Sequence, residues 1–268
     1  MGIAIAEPPF LLETDKQSYL QFQPVYLKLS SSNSKNNDMQ VRPLEFGDFV
    51  LKMEFPDGTR SIYRPMIQAC SFSGAPRTKG VEYSTLILNG AELVSSKIGM
   101  YTLILTDRSG YIVSWPISYR VEEPVMPEDK QAKQLIETDP IGYGMFIYME
   151  GGDHLVQGHA IVKNLSESRS SYSSFARAVL AINYSHDALN SENGSILRRK
   201  NPGLVENLYD GDQSNEVPEY LKLKGCHAVF SHLNSDEVSS NLQTRINEVR
   251  NRNKNNMTPF FFDNVRQD

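Results

Sequence analysis

This chain of 268 residues has little that could do covalent or metal chemistry. It has two cysteines, Cys70 and Cys226, too few for a disulfide framework. They fall in different expected domains and read as isolated small apolar residues. His154 and His159 are five apart, so a helix turns them off a common face, and no H-E-x-x-H arrangement occurs. Cys226, His227 and His232 cluster, but a structural zinc site needs four ligands at recognised spacing. Asp210-Gly211-Asp212 echoes the start of a calcium loop. Asn215 then replaces the required glycine, and Leu221 stands where the bidentate glutamate belongs. Gly142-x-Gly144 is too short for a dinucleotide loop, and no P-loop or G-x-S-x-G occurs. The expectation is no metal, no cofactor and no catalytic constellation.

Long apolar runs are missing as well. No stretch approaches the ~20 apolar residues of a membrane span, so no integral membrane segment is expected. Basic excess is absent: a net charge of −5 argues against a nucleic-acid partner. The start, MGIAIAEPPF, has neither a basic lead nor a full apolar core. Ala4-Ile5-Ala6 has the small-x-small form that precedes a cleavage site. The expected location is therefore exported or periplasmic with a leader removed, or otherwise cytoplasmic. Gly2 suggests myristoylation, but Ala6 departs from the Ser or Thr of that motif.

What is present is enough for real cores: 40% hydrophobic residues, 10% of the chain aromatic, and a length that suits two domains. The first part is rich in strand signals. Phe10 to Glu13 reads as a short strand, and Asp15 to Gln23 as a polar turn region. Val25 to Ser30 alternates, and Ser31 to Asp38 is a run of turn formers. In Phe49 to Phe55, Val50, Lys52 and Glu54 share one face, with Leu51 and Met53 on the other. Pro56-Asp57-Gly58 then sets a tight turn, with Arg60 to Tyr63 as the returning strand. Tyr83 to Leu88 is a further strand.

Gly99 to Pro124 is the strongest element. Tyr101, Leu103 and Leu105 alternate with polar or outward residues, Asp107 to Gly110 breaks the pattern, and Tyr111 to Val121 resumes it. That describes an antiparallel hairpin. Trp115, the only tryptophan, precedes Pro116, which cannot donate to a ladder and marks an edge or a bulge. Two readings of Trp115 stay open: core or interdomain packing, and stacking on a ligand.

The set Val25 to Leu29 (VYLKL), FPDGT-R-x-x-Y-R-P from Phe55 to Pro65, Gly99 to Leu103 (GMYTL) and the closing S-W-P-I-x-x-x-V-x-x-P from Ser114 to Pro124 carries a resemblance. It is similar to bacterial immunoglobulin- or fibronectin-like β-sandwich domains over about residues 7–124. Tyr101 would then be a corner tyrosine whose hydroxyl satisfies a neighbouring backbone group. The chain lacks the cysteine pair of antibody-type domains. The resemblance implies a fold and a binding or scaffolding role, and carries no catalytic residues.

After Pro124 the period becomes helical. Pro127-Glu128-Asp129 starts a helix well, because proline is tolerated in the first turn and acids favour the positive end of the dipole. Ile141 to Met149 is apolar throughout and fits a buried helix or a buried strand. Gly151-Gly152-Asp153 breaks the chain, with Asp153 as the expected N-cap. Leu155 to Leu165 and Tyr172 to Asn183 read as a helical hairpin. It loosely resembles a tetratricopeptide unit, but no second copy follows in register. A mobile loop around a short helix is expected near 185–215, and two last helices at Val217–Leu233 and Asp236–Asn251. Phe260, Phe261 and Phe262 form an apolar tail.

The expected fold class is multidomain β + α. Residues 1–124 form an immunoglobulin-like antiparallel β-sandwich, and residues 125–268 an all-α helical-hairpin domain. The expected function is noncatalytic binding or scaffolding of a protein or glycan partner through Tyr111, Trp115, Phe260, Phe261 and Phe262. The alternative is a hydrolase in the helical part, with Glu150, Asp153, His154 and His159 around the Gly151-Gly152 break.

Overall fold

The computed structural model describes residues 8–31, 49–63, 83–88, 95–149, 152, 154–189, 194–210, 221, 222, 225, 229, 233 and 237–252. The chain mixes strands and helices and divides into two compact units, Met1–Glu123 and Pro124–Asp268. Among the described residues no helix is long and apolar enough to cross a membrane.

The first unit holds β1 (Phe10–Thr14), β2 (Ser18–Leu20), β3 (Val25–Ser31), β4 (Phe49–Glu54), β5 (Arg60–Ile62), β6 (Tyr83–Leu88), β7 (Gly99–Asp107) and β8 (Ile117–Glu122). They form a three-stranded sheet in the order β1-β3-β6 and a five-stranded sheet in the order β2-β8-β7-β4-β5. Period-2 alternation sends Leu12, Leu27 and Leu29 of the smaller sheet into one core with Leu51, Met53, Leu103, Leu105 and Val121 of the larger. Between β4 and β5, Gly58 supplies the positive φ (79°) that the Pro56-Asp57-Gly58 turn requires.

Two expectations are corrected here. Asp15 to Gln23 is not all turn, because it contains β2, and β2 pairs parallel with β8 rather than antiparallel. The cause is a change of sheet directly after β1. Asp15 sits at the crossing: its amide donates to the Tyr26 carbonyl (3.2 Å) and its Oδ1 accepts from the Tyr26 amide (3.1 Å) and the Tyr19 hydroxyl (2.6 Å). Of the two readings of Pro116, an edge or a bulge, the edge does not hold. The run from Tyr111 is interrupted at Trp115-Pro116, and β8 starts at Ile117 between β2 and β7.

Tyr101 is fully buried at the start of β7. Its hydroxyl donates to the Lys97 carbonyl (3.0 Å) and accepts from the Lys97 amide (3.1 Å). One side chain thereby satisfies both backbone groups of the residue four positions earlier, in the loop that enters the strand.

The second unit holds α1 (Pro127–Ile136), α2 (Pro140–Met149), α3 (Val156–Glu167), α4 (Ser173–Tyr184), α5 (Pro202–Asp210) and α6 (Ser240–Arg252). Asp129 in the first turn of α1 is buried, and its carboxylate accepts from the Ser171 amide (2.7 Å) and hydroxyl (3.0 Å) between α3 and α4. The apolar stretch at Ile141 resolves as helix because Asp139 caps it, accepting from the Gly142 amide (2.9 Å). The cap position of α3 is Leu155, with no side-chain cap; Asp153 lies outside the described residues. A Cβ at Gly158 of α3 would overlap the Gly142 carbonyl, so glycine lets the two helices approach. The unit is not all helical. Within the expected loop at 185–215, β9 (Ala188–Leu189) and β10 (Ile196–Arg198) pair as an antiparallel ribbon. The helix expected at Val217–Leu233 falls largely outside the described residues.

Burial pushes the hydroxyls of Tyr19, Tyr101 and Tyr119 above the ordinary phenol range, and the Asp15 charge adds to the effect at Tyr19. The native state therefore keeps these protons after the unfolded chain releases them, above about pH 10. Their stabilising effect is complete below that pH. It is lost as pH rises beyond it, by up to about 1.4 kcal/mol per pH unit for each tyrosine. Urea midpoints measured across alkaline pH should fall in this way, with a shallower slope in Tyr119→Phe. Tyr101→Phe, which strips both Lys97 backbone groups of their partner, should cost about 1–3 kcal/mol already at neutral pH.

Candidate functional site

The connection from β7 to β8 is an ordered segment that turns apolar side chains outward. Asp107 closes its tip. The Asp107 carboxylate accepts from the Ser109 hydroxyl (2.6 Å) and the Tyr111 amide (2.9 Å), and the Asp107 amide donates to the Tyr111 carbonyl (2.9 Å). The Ser109 bond, with help from backbone amides, holds the Asp107 carboxyl below the usual carboxylate range. Beyond the tip, the Val113 amide donates to the Leu105 carbonyl (3.0 Å), and the Val113 carbonyl accepts from the Phe10 amide of β1 (3.1 Å). Thr106 and Ile112 form one further bridge, and Phe10 and Ser114 another.

The segment is thus clamped between a strand of each sheet. Val113 and Ser114 point into the protein, while Tyr111, Ile112 and Trp115 are 76%, 57% and 53% exposed. Trp115 is therefore not a core residue, although it is the only tryptophan in the chain. Ile112 and Asp107 complete the site without having been singled out from sequence. The Asp-x-Ser-Gly run at Asp107 to Gly110 is a readable turn signal, but nothing local tells which of Ile112 and Val113 faces out.

Of the four residues of the alternative site, only His154 and His159 are among the described residues. Glu150 and Asp153 lie outside the described residues, as do Phe260, Phe261 and Phe262. His154 is exposed ahead of α3, whereas His159 is half-buried, its Nε2 3.1 Å from the Tyr184 hydroxyl and its ring 5.3 Å from that of Phe146. This contact joins the start of α3 to the end of α4, which fixes the two helices as antiparallel. Arg198 of β10 lies over the Tyr184 ring, its guanidinium carbon 4.6 Å from the centroid, and donates to the Asn183 carbonyl (2.9 Å). These bonds anchor the ribbon to α4. Among the described residues no group of three or more His, Cys, Asp or Glu side chains could hold a metal ion.

No protein-family model matches the chain, and no curated protein matches it.

Arg198→Ala should loosen the ribbon without unfolding the helices. The cation–ring contact and the charged bond to the Asn183 carbonyl together predict a loss of about 1–3 kcal/mol. Amide exchange at Leu189 and Ile196 should rise, while α3 and α4 keep their protection.

Proposed function

We propose that this chain is a noncatalytic binding or scaffolding protein that engages a protein or glycan partner through Tyr111, Ile112 and Trp115. One observation carries the reading: three large apolar side chains stand exposed on a segment held by backbone hydrogen bonds on both sides. Loops that expose aromatics by default are mobile and lose entropy on binding; a clamped segment has already lost most of that freedom. Tyrosine and tryptophan supply large contact area with two side-chain torsions each, which makes them common anchors of interfaces. A single large exposed aromatic needs no explanation, but an ordered cluster does.

The proposed scaffold for this segment is an immunoglobulin-type sandwich. Its support is the strand arrangement, with β1, β3 and β6 in one layer and β8, β7, β4 and β5 in the other. The change of sheet between β1 and β2, which leaves β2 parallel to the last strand, supports it too. So does the Tyr101 hydroxyl on the Lys97 backbone, in the place where such sandwiches carry a corner tyrosine. The missing cysteine pair sets it apart from antibody-type domains.

Because Trp115 is the sole tryptophan, its emission reports on this site alone. Addition of the fraction or oligosaccharide that carries the partner should shift that emission to the blue and shield it from iodide. A Tyr111→Ala/Trp115→Ala variant should retain none of that partner in a pull-down with the full chain. Equal retention by the variant would exclude this cluster as the binding site.

A further inference from the structure

The outer face of the larger sheet carries a second pattern, independent of the aromatic segment. Inward Leu51, Met53, Leu103, Leu105 and Tyr119 leave Val50, Lys52, Glu54, Met100, Thr102, Ile104, Ser118 and Arg120 on the opposite face. The registers Lys52↔Ile62, Lys52↔Ile104, Thr102↔Ser118 and Met100↔Arg120 fix their positions. On β7, Met100 is 46% exposed and Ile104 is partly open to solvent; on β5, Ile62 is 52% exposed and lies beyond Lys52 of β4. Met100 and Ile104 thus make an apolar patch on β7, and Ile62 a separate one on β5.

The charges on this face differ in their state. Glu54 is taken by Arg60, whose Nε lies 2.7 Å from the Glu54 carboxylate. Lys52 and Arg120 are exposed, and no carboxylate among the described residues pairs with either. Four residues of strand rise and two strand spacings separate them, about 17 Å across the sheet, with Met100 and Ile104 of β7 between. Glu122, also exposed, lies beyond Arg120 and outside that interval.

We propose that this face docks an acidic protein segment whose carboxylates meet Lys52 and Arg120 and whose apolar side chains cover Met100 and Ile104. The inference rests on the proposed binding role and names the chemistry of the partner. Charge complementarity selects the occupant. Two cations at this spacing match carboxylates four extended residues apart, on one face of a partner strand and about 14 Å apart, with the long Lys52 and Arg120 side chains spanning the difference. Apolar Met100 and Ile104 between the cations suit the side chains of a peptide rather than a phosphate backbone.

The test uses the full chain and a random copolymer of glutamate and tyrosine as the acidic, apolar probe. Single-stranded oligonucleotide, phosphatidylglycerol vesicles and polylysine serve as competitors in class. Binding is followed by anisotropy of the labelled polymer in wild type, Lys52→Glu, Arg120→Glu, the double reversal, and Tyr111→Ala/Trp115→Ala. All the substituted positions are exposed, and circular dichroism checks that each variant is folded.

The copolymer should bind, each reversal should weaken it about fivefold, the double reversal more, and added salt should weaken wild type most. If the reversals weaken binding while the aromatic variant binds as wild type does, the docking face stands and the aromatic cluster falls. If the aromatic variant alone loses the probe, the docking face is overturned and the cluster stands. Absent copolymer binding, or vesicles or oligonucleotide bound as tightly with the same dependence on Lys52 and Arg120, overturns the inference.

Discussion

The Tyr101 side chain is fully buried, and the backbone of Lys97 is the partner of its hydroxyl as both acceptor and donor. From that bond a column of rings crosses the inner face of the larger sheet. Phe55 meets Tyr101 edge-on at 5.8 Å, Tyr101 stacks on Tyr119 at 5.0 Å, and Tyr119 meets Tyr19 edge-on at 5.5 Å. Each end of the column is tied down. Lys97 lies over Phe55, 5.3 Å from its centroid, and pairs with Asp57 of the β4–β5 turn at 2.8 Å. At the other end the Tyr19 hydroxyl donates to Asp15, which also accepts from the Tyr26 amide in the smaller sheet. The column therefore couples the turn, the larger sheet and the change of sheet after β1. Its loss would free β2 and, with it, one flank of β8.

The exposed aromatic segment depends on that frame. β7 is fixed by Tyr101 at its start, and the amide of Val113 returns to β7 at Leu105, while Phe10 of β1 reaches the same residue from the other side. With Val113 and Ser114 committed inward, the chain has no remaining way to bury Tyr111, Ile112 or Trp115 within the strand pattern. Exposure of three large side chains is a consequence of the clamp, and the same clamp makes them a usable surface.

Much of this was written in local pattern. Alternation in Val25 to Ser30, Phe49 to Phe55 and Gly99 to Asp107 gave the strands, and the Pro56-Asp57-Gly58 turn gave their first reversal. Glycine before Tyr101 marked the tyrosine that holds its own loop. β2 was not legible because its stability comes from β8, about a hundred residues away in sequence, and not from an apolar period in Ser18 to Leu20. β9 and β10 were hidden for a related reason: their anchor, Arg198 on Tyr184, is a tertiary contact. For Ile141 to Met149 the apolar character is continuous, so period cannot separate helix from strand, and the cap at Asp139 decides. Trp115 shows the opposite failure. Its size points to burial, but its position beside Pro116 at a break between strands leaves it outside.

The claim on which the account turns is that the Tyr111–Trp115 segment is held rigid between the two sheets. Amide hydrogen exchange of the full chain tests it most directly, read at Val113 and Phe10, whose amides close the clamp. Protection comparable to that of Leu103 in the middle of β7 is the predicted result. Exchange at Val113 and Phe10 as fast as at the exposed tip residue Arg108 would show a loose connection, and would contradict both the clamp and the surface built on it.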